Sequence, residues 1–216
     1  MFRRLTPYPS PLTPHPSTLT FFAMTLPATT FPSQYSVRRK LLTLVGAQFH
    51  IRTPSDKLLA FTQLKAFKLK EDIRVYSDET KRTELLSIQA RQIIDIAAAY
   101  DVTDTPTGQK VGALRRKGLK SILRDEWVIL DASEREVGLV QEESAFVALL
   151  RRIINLIPQS FHLKVGERVV GRAHQRFNPF ILTLDVDTSE DRKKELDPRL
   201  VLAAVILLAA IEGRQG

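Results

Sequence analysis

Near the end of the chain, residues 200–211 read LVLAAVILLAAI, twelve apolar residues in succession. A helix that is apolar on every side has no face for solvent, so it must be buried all round or lie in lipid. At ~1.5 Å per residue it is about 18 Å long, well short of the ~30 Å core of a membrane. Asp197 as N-cap, Pro198 at the first position and Gly213 beyond the end are typical of a soluble helix. We therefore predict a helix that the rest of the fold encloses.

Short apolar segments separated by polar turns run from Tyr35 to about Ala99, and they are typical of β-strands. The clearest strand segments are 48–52, 57–61, 64–70, 73–76 and 84–88. The turns between them are rich in Pro, Ser, Thr and Asp, the residues that favour tight turns. If strands surround the final helix, the sheet has to curl around it, and a closed antiparallel barrel follows.

A repeated hairpin supports the barrel. Residues 100–104 (YDVTD), a polar turn and 110–114 (KVGAL) resemble 128–131 (VILD), a polar turn and 136–140 (EVGLV). The aspartate at the strand end can accept backbone N–H bonds from the turn. The glycine of the return strand permits a bulge or a close approach of two backbones, as a curved sheet requires. Weaker copies occupy residues 52–57 and 161–170.

The chain is expected to form one domain, residues 35–216, behind a leader at residues 1–34. The leader is rich in Pro, Ser and Thr, which cannot build a core, and we expect it to be disordered. Met24 is a candidate for the true start of the protein. An amphipathic helix is predicted over 145–157, packed outside the barrel or capping one end, and a single helical turn over 118–124.

Composition restricts the chemistry. The chain has no cysteine, which excludes disulfides, thiolate metal sites and cysteine nucleophiles, and fits a cytoplasmic location. The net charge of +8, from 32 Lys and Arg against 24 Asp and Glu, favours an anionic partner such as nucleic acid or an acidic membrane leaflet. No motif of a metalloprotease, hydrolase or phosphate-binding loop occurs. The four scattered histidines, His15, His50, His162 and His174, suggest no catalytic group. We expect a non-enzymatic protein without a cofactor.

Hairpins that end in DPRLVLAAVILLAAIEG, residues 197–213, resemble the tubby C-terminal-like superfamily. This superfamily includes tubby, the phospholipid scramblases and the LURP-one-related proteins. The resemblance covers about residues 35–213 and implies a barrel of about twelve antiparallel strands around a central buried C-terminal helix. It also implies binding at membranes, because tubby domains recognise phosphoinositide head groups and scramblases are associated with lipid movement. The cysteine-rich palmitoylation segment of scramblases is absent here.

One basic segment is the strongest candidate for a binding site. Its five cations within ten residues are Arg115, Arg116, Lys117, Lys120 and Arg124. Each cation near an anionic leaflet contributes about 1 kcal/mol, so together they predict weak, salt-sensitive binding of phospholipid head groups. A solvated loop with Trp127 buried beside it explains the pattern equally well. A smaller basic group, 38–40, lies at an unknown distance from the first.

An acidic segment before the final helix corresponds to the loop that is interpreted as a calcium site in scramblases. Asp185, Asp187 and Asp191 supply oxygen at spacings similar to the opening of a calcium loop. However, Glu190 stands where the sharp turn needs glycine, and Leu196 stands where a bidentate acid is needed. A solvated loop is the favoured interpretation, and we predict no metal site.

These observations predict a peripheral module that binds anionic phospholipid or phosphoinositide head groups at the inner membrane face. The first alternative is a nucleic-acid-binding protein that uses the same cations. Single strands would need exposed aromatic rings, whereas Phe49, Phe61, Phe67 and Trp127 mostly look core-facing. A scaffold for an unknown partner is the second alternative. A small-molecule carrier is disfavoured, because the final helix would fill the lumen. The oligomeric state is not readable from the chain.

Overall fold

The computed structural model describes residues 31–40, 46–64, 72–91, 99–117, 126–143, 158–176, 178 and 180–212. In these residues twelve antiparallel strands follow one another in chain order and close into a barrel when β12 pairs with β1. The strands are β1 (Gln34–Lys40), β2 (Ala47–Arg52), β3 (Leu58–Leu64), β4 (Asp72–Tyr76), β5 (Glu84–Ala90), β6 (Ala99–Asp104), β7 (Gln109–Arg116), β8 (Glu126–Asp131), β9 (Glu136–Glu142), β10 (Ser160–Val165), β11 (Arg168–Arg176) and β12 (Ile181–Asp187). The predicted fold class is confirmed.

The final helix, α1 (Pro198–Glu212), is the core of the barrel. Every residue from Leu200 to Ala210 is at most 5% exposed, as an apolar surface on all sides requires. Asp197 caps the helix: its Oδ1 accepts the N–H of Arg199 at 2.8 Å, and its carbonyl accepts that of Leu200 at 3.0 Å. The prediction of an enclosed, N-capped helix is confirmed.

The curvature comes from a register shift repeated in five hairpins. In the β6–β7 hairpin, Val102 pairs with Gly112 and Thr103 with Lys110, so Val111 has no partner across the ladder. An extra residue of this kind bends its strand and increases the local twist. The residues skipped in this way are Leu59, Leu85, Val111, Val137 and Val170. All five are apolar and lie in the core or pack against it, so each bulge both bends the wall and adds an apolar side chain to the packing.

The glycines of the repeated hairpin lie beside these bulges, as the sequence predicted. A Cβ atom on Gly112 would lie 2.2 Å from the carbonyl oxygen of Leu130 and 3.0 Å from the side chain of Leu200. A Cβ atom on Gly138 would lie 2.7 Å from the side chain of Leu196. At Gly112 the wall lies too close to Leu130 of β8 and to Leu200 of the helix to leave room for a side chain. At Gly138 it lies too close to Leu196, just before the helix.

The edges of the predicted elements differ slightly from the structure. Phe31 is buried in the core and β1 begins at Gln34, one residue before the expected first strand residue, Tyr35. Leu64 is the last residue of β3 and does not begin a strand of its own. The rest of that predicted strand and both predicted helical segments, 118–124 and 145–157, lie outside the described residues.

A cluster of four charged side chains, Arg91, Asp101, Lys110 and Glu134, joins neighbouring hairpins on the outer wall. Nη2 of Arg91 lies 2.6 Å from Oδ1 of Asp101, and Nζ of Lys110 lies 3.0 Å from the same oxygen. Both cations also pair with Glu134. Hydrogen bonds, first from Arg91 and then from Lys110, hold the pKa of each carboxyl below its ordinary value.

This cluster predicts a loss of stability in acid. Because the pKa of both carboxyls is lower in the folded state, the cluster stabilises the fold above their unfolded pKa values of about 4. That contribution is lost as the pH falls through the folded-state values. We expect the urea midpoint to decrease between about pH 5 and about pH 3, and to decrease less steeply in Asp101→Asn. An equally steep decrease in that variant would contradict a role for the cluster.

Candidate functional site

The two ends of the barrel differ in character. The helix enters at one end, where Asp197 and Arg199 lie beside Asp104, and where the connections between strands are short polar turns. We call this the entry end. The exit rim, at the opposite end, consists of the last residues of β1, β3, β5, β7, β9 and β11 and the first residues of the strands that follow them. Most connections at the exit rim lie outside the described residues.

The predicted binding segment lies at the exit rim. Arg115 and Arg116 end β7, and Lys117 follows directly. Lys120 and Arg124 lie outside the described residues. The structure therefore places three of the five predicted cations together at one strand end.

These three cations differ in direction and in partners. Arg115 faces outward, and its Nη2 donates to Oε1 of Glu136 at 2.7 Å. Nζ of Lys117 lies 3.5 Å from Oε2 of Glu126. Arg116 faces inward, because strand residues alternate and Leu114 beside it is in the core. Arg115 and Lys117 are therefore the cations here that an external anion can reach.

Arg116 lies close to the buried aromatic pair of this wall. It pairs in register with Trp127, whose ring centroid is 5.8 Å from that of Tyr100. Burial raises the pKa of the Tyr100 hydroxyl, and the positive charge of Arg116 opposes this shift. Trp127 is 3% exposed, which agrees with the interpretation that this residue is buried beside the basic segment. Arg116 thus lies on the inward side of the strand beside this pair and is partly buried.

The second basic run also lies at the exit rim, because Arg38, Arg39 and Lys40 end β1. Arg39 alternates inward, with its guanidinium carbon 5.7 Å from the ring centre of Phe49. β1 and β7 are six strands apart in both directions around the barrel. The two identical Arg-Arg-Lys runs therefore end strands on opposite sides of the same rim. No sequence pattern could have revealed this, because the distance depends on the number of strands in the closed barrel.

A groove of about 390 Å³ lies beside the second run, between the outer faces of β1, β11 and β12. Arg38 Nη1 lies 2.7 Å from Asp56 Oδ1, and Arg176 makes a two-bond ion pair with Asp185. In the part of the chain that the structure describes, no carboxylate lies within ion-pair distance of Arg172. Because Asp185 and Asp187 also line the groove, its net charge is small. The groove is therefore a weaker candidate for an anion than the rim.

The acidic segment does not gather around a common point. Asp185 pairs with Arg176, and Asp187 accepts from Ser189 and from Gln34 Nε2 at 2.9 Å. The hydrogen bond from the Ser189 hydroxyl is the main cause of the lowered pKa of Asp187. Both oxygens of Asp191 accept backbone N–H groups at 2.9 Å. Among the residues with described positions, no three histidine or acidic side chains are placed to hold a metal ion.

Each described histidine has its own partner. His50 Nε2 lies 3.0 Å from Glu79, His162 Nε2 lies 3.6 Å from Glu143, and His174 Nδ1 lies 2.8 Å from the Ser160 hydroxyl. These three histidines lie on the outer face of the barrel. Each of them pairs in register with a residue of the neighbouring strand. His15 lies outside the described residues.

The aromatic side chains separate into core and surface. Phe49 and Trp127 are buried in the core, as predicted, whereas Phe61 is buried on the outer face between His50 and Lys81. Phe67 lies outside the described residues. Sequence reasoning missed Phe180, which is 64% exposed at the exit rim between β11 and β12. The turn sequence Asn-Pro-Phe directly before a strand was the available signal for an exposed ring.

A closed twelve-stranded antiparallel barrel around a C-terminal helix defines the class of tubby-like domains. The model of the LURP-one-related family matches residues 58–209, and the chain belongs to this family. Domains of this family are generally non-catalytic. An X-ray structure of an Arabidopsis thaliana protein is similar, with a TM-score of 0.48 and 12% identity over 88% of this chain and 98% of that chain. No curated protein matches significantly.

Across the ranges with described positions, no helix combines the length and the hydropathy that a bilayer crossing requires.

Proposed function

We propose that this domain binds anionic phospholipid head groups at the inner face of a membrane and is not an enzyme. The observation that carries the proposal is the placement of two Arg-Arg-Lys runs on opposite sides of the exit rim. A flat anionic surface that covers this rim lies over the ends of both strands, and it can draw the outward arginines, Arg38 and Arg115, away from Asp56 and Glu136. Arginine donates paired, charge-assisted hydrogen bonds to phosphate, and lysine adds a point charge.

The ion pairs at the rim set the strength of such binding. Arg115 and Lys117 each have a glutamate partner, and both are 45% exposed at the side chain. Exposed pairs of this kind contribute only ~0–1 kcal/mol, so a phosphate can replace the glutamate at small cost. Binding is therefore expected to be weak, additive over many head groups and sensitive to salt.

Removing the outward cations of β7 should weaken membrane binding. We expect Arg115→Gln combined with Lys117→Gln to bind vesicles of phosphatidylcholine and phosphatidylserine about thirtyfold more weakly at low salt, since each cation contributes about 1 kcal/mol. The reverse change, Glu136→Gln, releases Arg115 and should strengthen binding a few-fold. Vesicle sedimentation over a range of salt concentrations measures both effects.

The matched control removes the same charge from the opposite end. Arg82 and Arg135 lie exposed in turns at the entry end, so Arg82→Gln with Arg135→Gln should leave binding unchanged. An equal loss in both double variants would show that net charge alone drives binding. A gel-shift assay with DNA and RNA completes the test. Binding to nucleic acid without binding to vesicles would overturn the proposal.

A further inference from the structure

The connection between β11 and β12 presents an apolar tip at the exit rim. Phe180 is 64% exposed and Ile181 is 36% exposed. Within the described ranges these are the large apolar side chains that the fold leaves in contact with solvent. All the other large apolar residues there are at least partly buried, although the helix and the barrel wall offer a large core. The exposed ring of Phe180 is thus an exception to the burial of large apolar side chains in this fold, and it contributes little to the core.

Two backbone groups at this tip, the N–H groups of Phe180 and Ile181, are held by one side chain. Oδ1 of Asn178 accepts the N–H of Phe180 at 2.8 Å and that of Ile181 at 3.0 Å. Ile181 begins β12 and is already paired with Lys40 of β1. A side chain presented on a fixed backbone loses little conformational entropy when it enters a partner. The hydrogen bonds to Asn178 therefore preorganise the backbone at Phe180.

Basic residues lie on both sides of the tip. Arg176 ends β11, and Lys40 is the register partner of Ile181. The side chain of Arg176 is 57% exposed and pairs with Asp185, an exposed pair whose carboxylate a phosphate can replace at small cost. An exposed aromatic ring beside cations matches the boundary between acyl chains and anionic head groups, where rings sit among the carbonyls and cations meet phosphate.

The position of the tip on the barrel favours a planar partner. The tip shares the exit rim with both Arg-Arg-Lys runs, one on the adjacent β1 and the other across the barrel on β7. A protein partner would have to span the whole rim to meet all three features. A bilayer meets them in one plane.

We propose that the β11–β12 tip is an apolar anchor, and that Phe180 inserts at the interface of an anionic bilayer while the basic runs contact head groups. This inference rests on the proposed function, because the rim must approach a membrane before the ring can enter it. The electrostatic contacts explain attraction at a distance, and the ring adds a contribution that salt does not screen.

The absence of cysteine makes the anchor directly measurable. Phe180→Cys provides a unique site for an environment-sensitive fluorophore, and Glu167→Cys, exposed in the β10–β11 turn at the entry end, is the matched control. With vesicles of phosphatidylcholine and phosphatidylserine, we expect a blue shift at position 180, quenched by lipids brominated on the acyl chains. The label at position 167 should show neither effect.

An unlabelled variant tests the contribution of the ring itself. We expect Phe180→Ser to bind the same vesicles about tenfold more weakly, as expected for a ring that loses part of its apolar burial. The weaker binding should persist at high salt, unlike the loss in the Arg115 and Lys117 variant. Because Phe180 makes little contact with the core, the thermal midpoint of Phe180→Ser should match that of the unsubstituted chain. A loss of vesicle binding in this variant then reports anchoring and not unfolding.

The possible failures are distinguishable. If the unsubstituted chain sediments with vesicles, but the label at position 180 does not shift and Phe180→Ser binds equally well, the anchor is wrong and the proposed function stands. If the label at position 180 shifts with a soluble protein and not with vesicles, the anchor is also wrong. If the unsubstituted chain binds no vesicles, both proposals fail.

Discussion

Replacing Arg199 with leucine is expected to destabilise the barrel by about 3–5 kcal/mol, the usual cost of leaving a buried charge without its partner. Arg199 Nη1 lies 2.7 Å from Oδ2 of Asp104, whose side chain is only 2% exposed. The same guanidinium bonds both oxygens of Asp197, the N-cap of the helix. The substitution therefore removes a link between the entry end of the helix and the wall. Urea unfolding at neutral pH measures the free energy.

A second variant separates the charge from the packing. Asp104→Asn combined with Arg199→Leu removes both charges, so the stranded carboxylate no longer opposes folding. We expect the double variant to recover part of the stability lost in Arg199→Leu, since neutral groups cost less to bury than ions. If the double variant is as unstable as the sum of the two single variants, the two groups do not interact.

Gly112→Ala is expected to cost about 3 kcal/mol or more, the upper range for overpacking a core. The added Cβ atom would lie 2.2 Å from the carbonyl oxygen of Leu130, which belongs to the hydrogen-bond ladder of β8 and has no room to move. The strand would have to separate from its neighbour or leave its bulge. Loss of soluble protein, or a large decrease in the thermal midpoint, would report this.

The cause of the effect can be tested by relieving the other contact. The same Cβ atom would lie 3.0 Å from a methyl carbon of Leu200. If that contact dominated, Gly112→Ala would cost little when it is made in a Leu200→Ala background, and our interpretation of Gly112 would be wrong. Gly108→Ala is the comparison for glycine itself, because its positive φ is strained by a side chain but nothing lies within 4 Å. We expect a cost of about 1 kcal/mol there.

Much of the fold follows from local chemistry. A continuous apolar run of twelve residues between an aspartate N-cap and a glycine predicts an enclosed helix, because it is too short to span a bilayer. The hairpin repeat, with its aspartate and its glycine, predicted where the wall bends. The structure confirms these features, since Asp131 accepts the N–H groups of Ser133 at 2.8 Å and Arg135 at 3.0 Å, and Gly112 lies beside a bulge.

The candidate site was less accessible to sequence reasoning. The five cations between Arg115 and Arg124 looked like one surface patch, but Arg116 faces inward because it falls on the core side of a strand. A shift of β7 by a single residue would exchange its inward and outward faces, and Arg116 would then face outward. Phe180 was overlooked because one exposed ring has no periodic pattern.

The apolar character of the last helix, the polar turns and the repeated hairpins specified a barrel around an axial helix, since each depends on residues close together in the chain. The pairing of Asp104 with Arg199, 95 residues later, depended on the closed structure. So did the opposite placement of the two basic runs and the position of Phe180 on the same rim. Local periodicity determines which face of a strand a side chain occupies, whereas strand number and register determine which distant side chains meet.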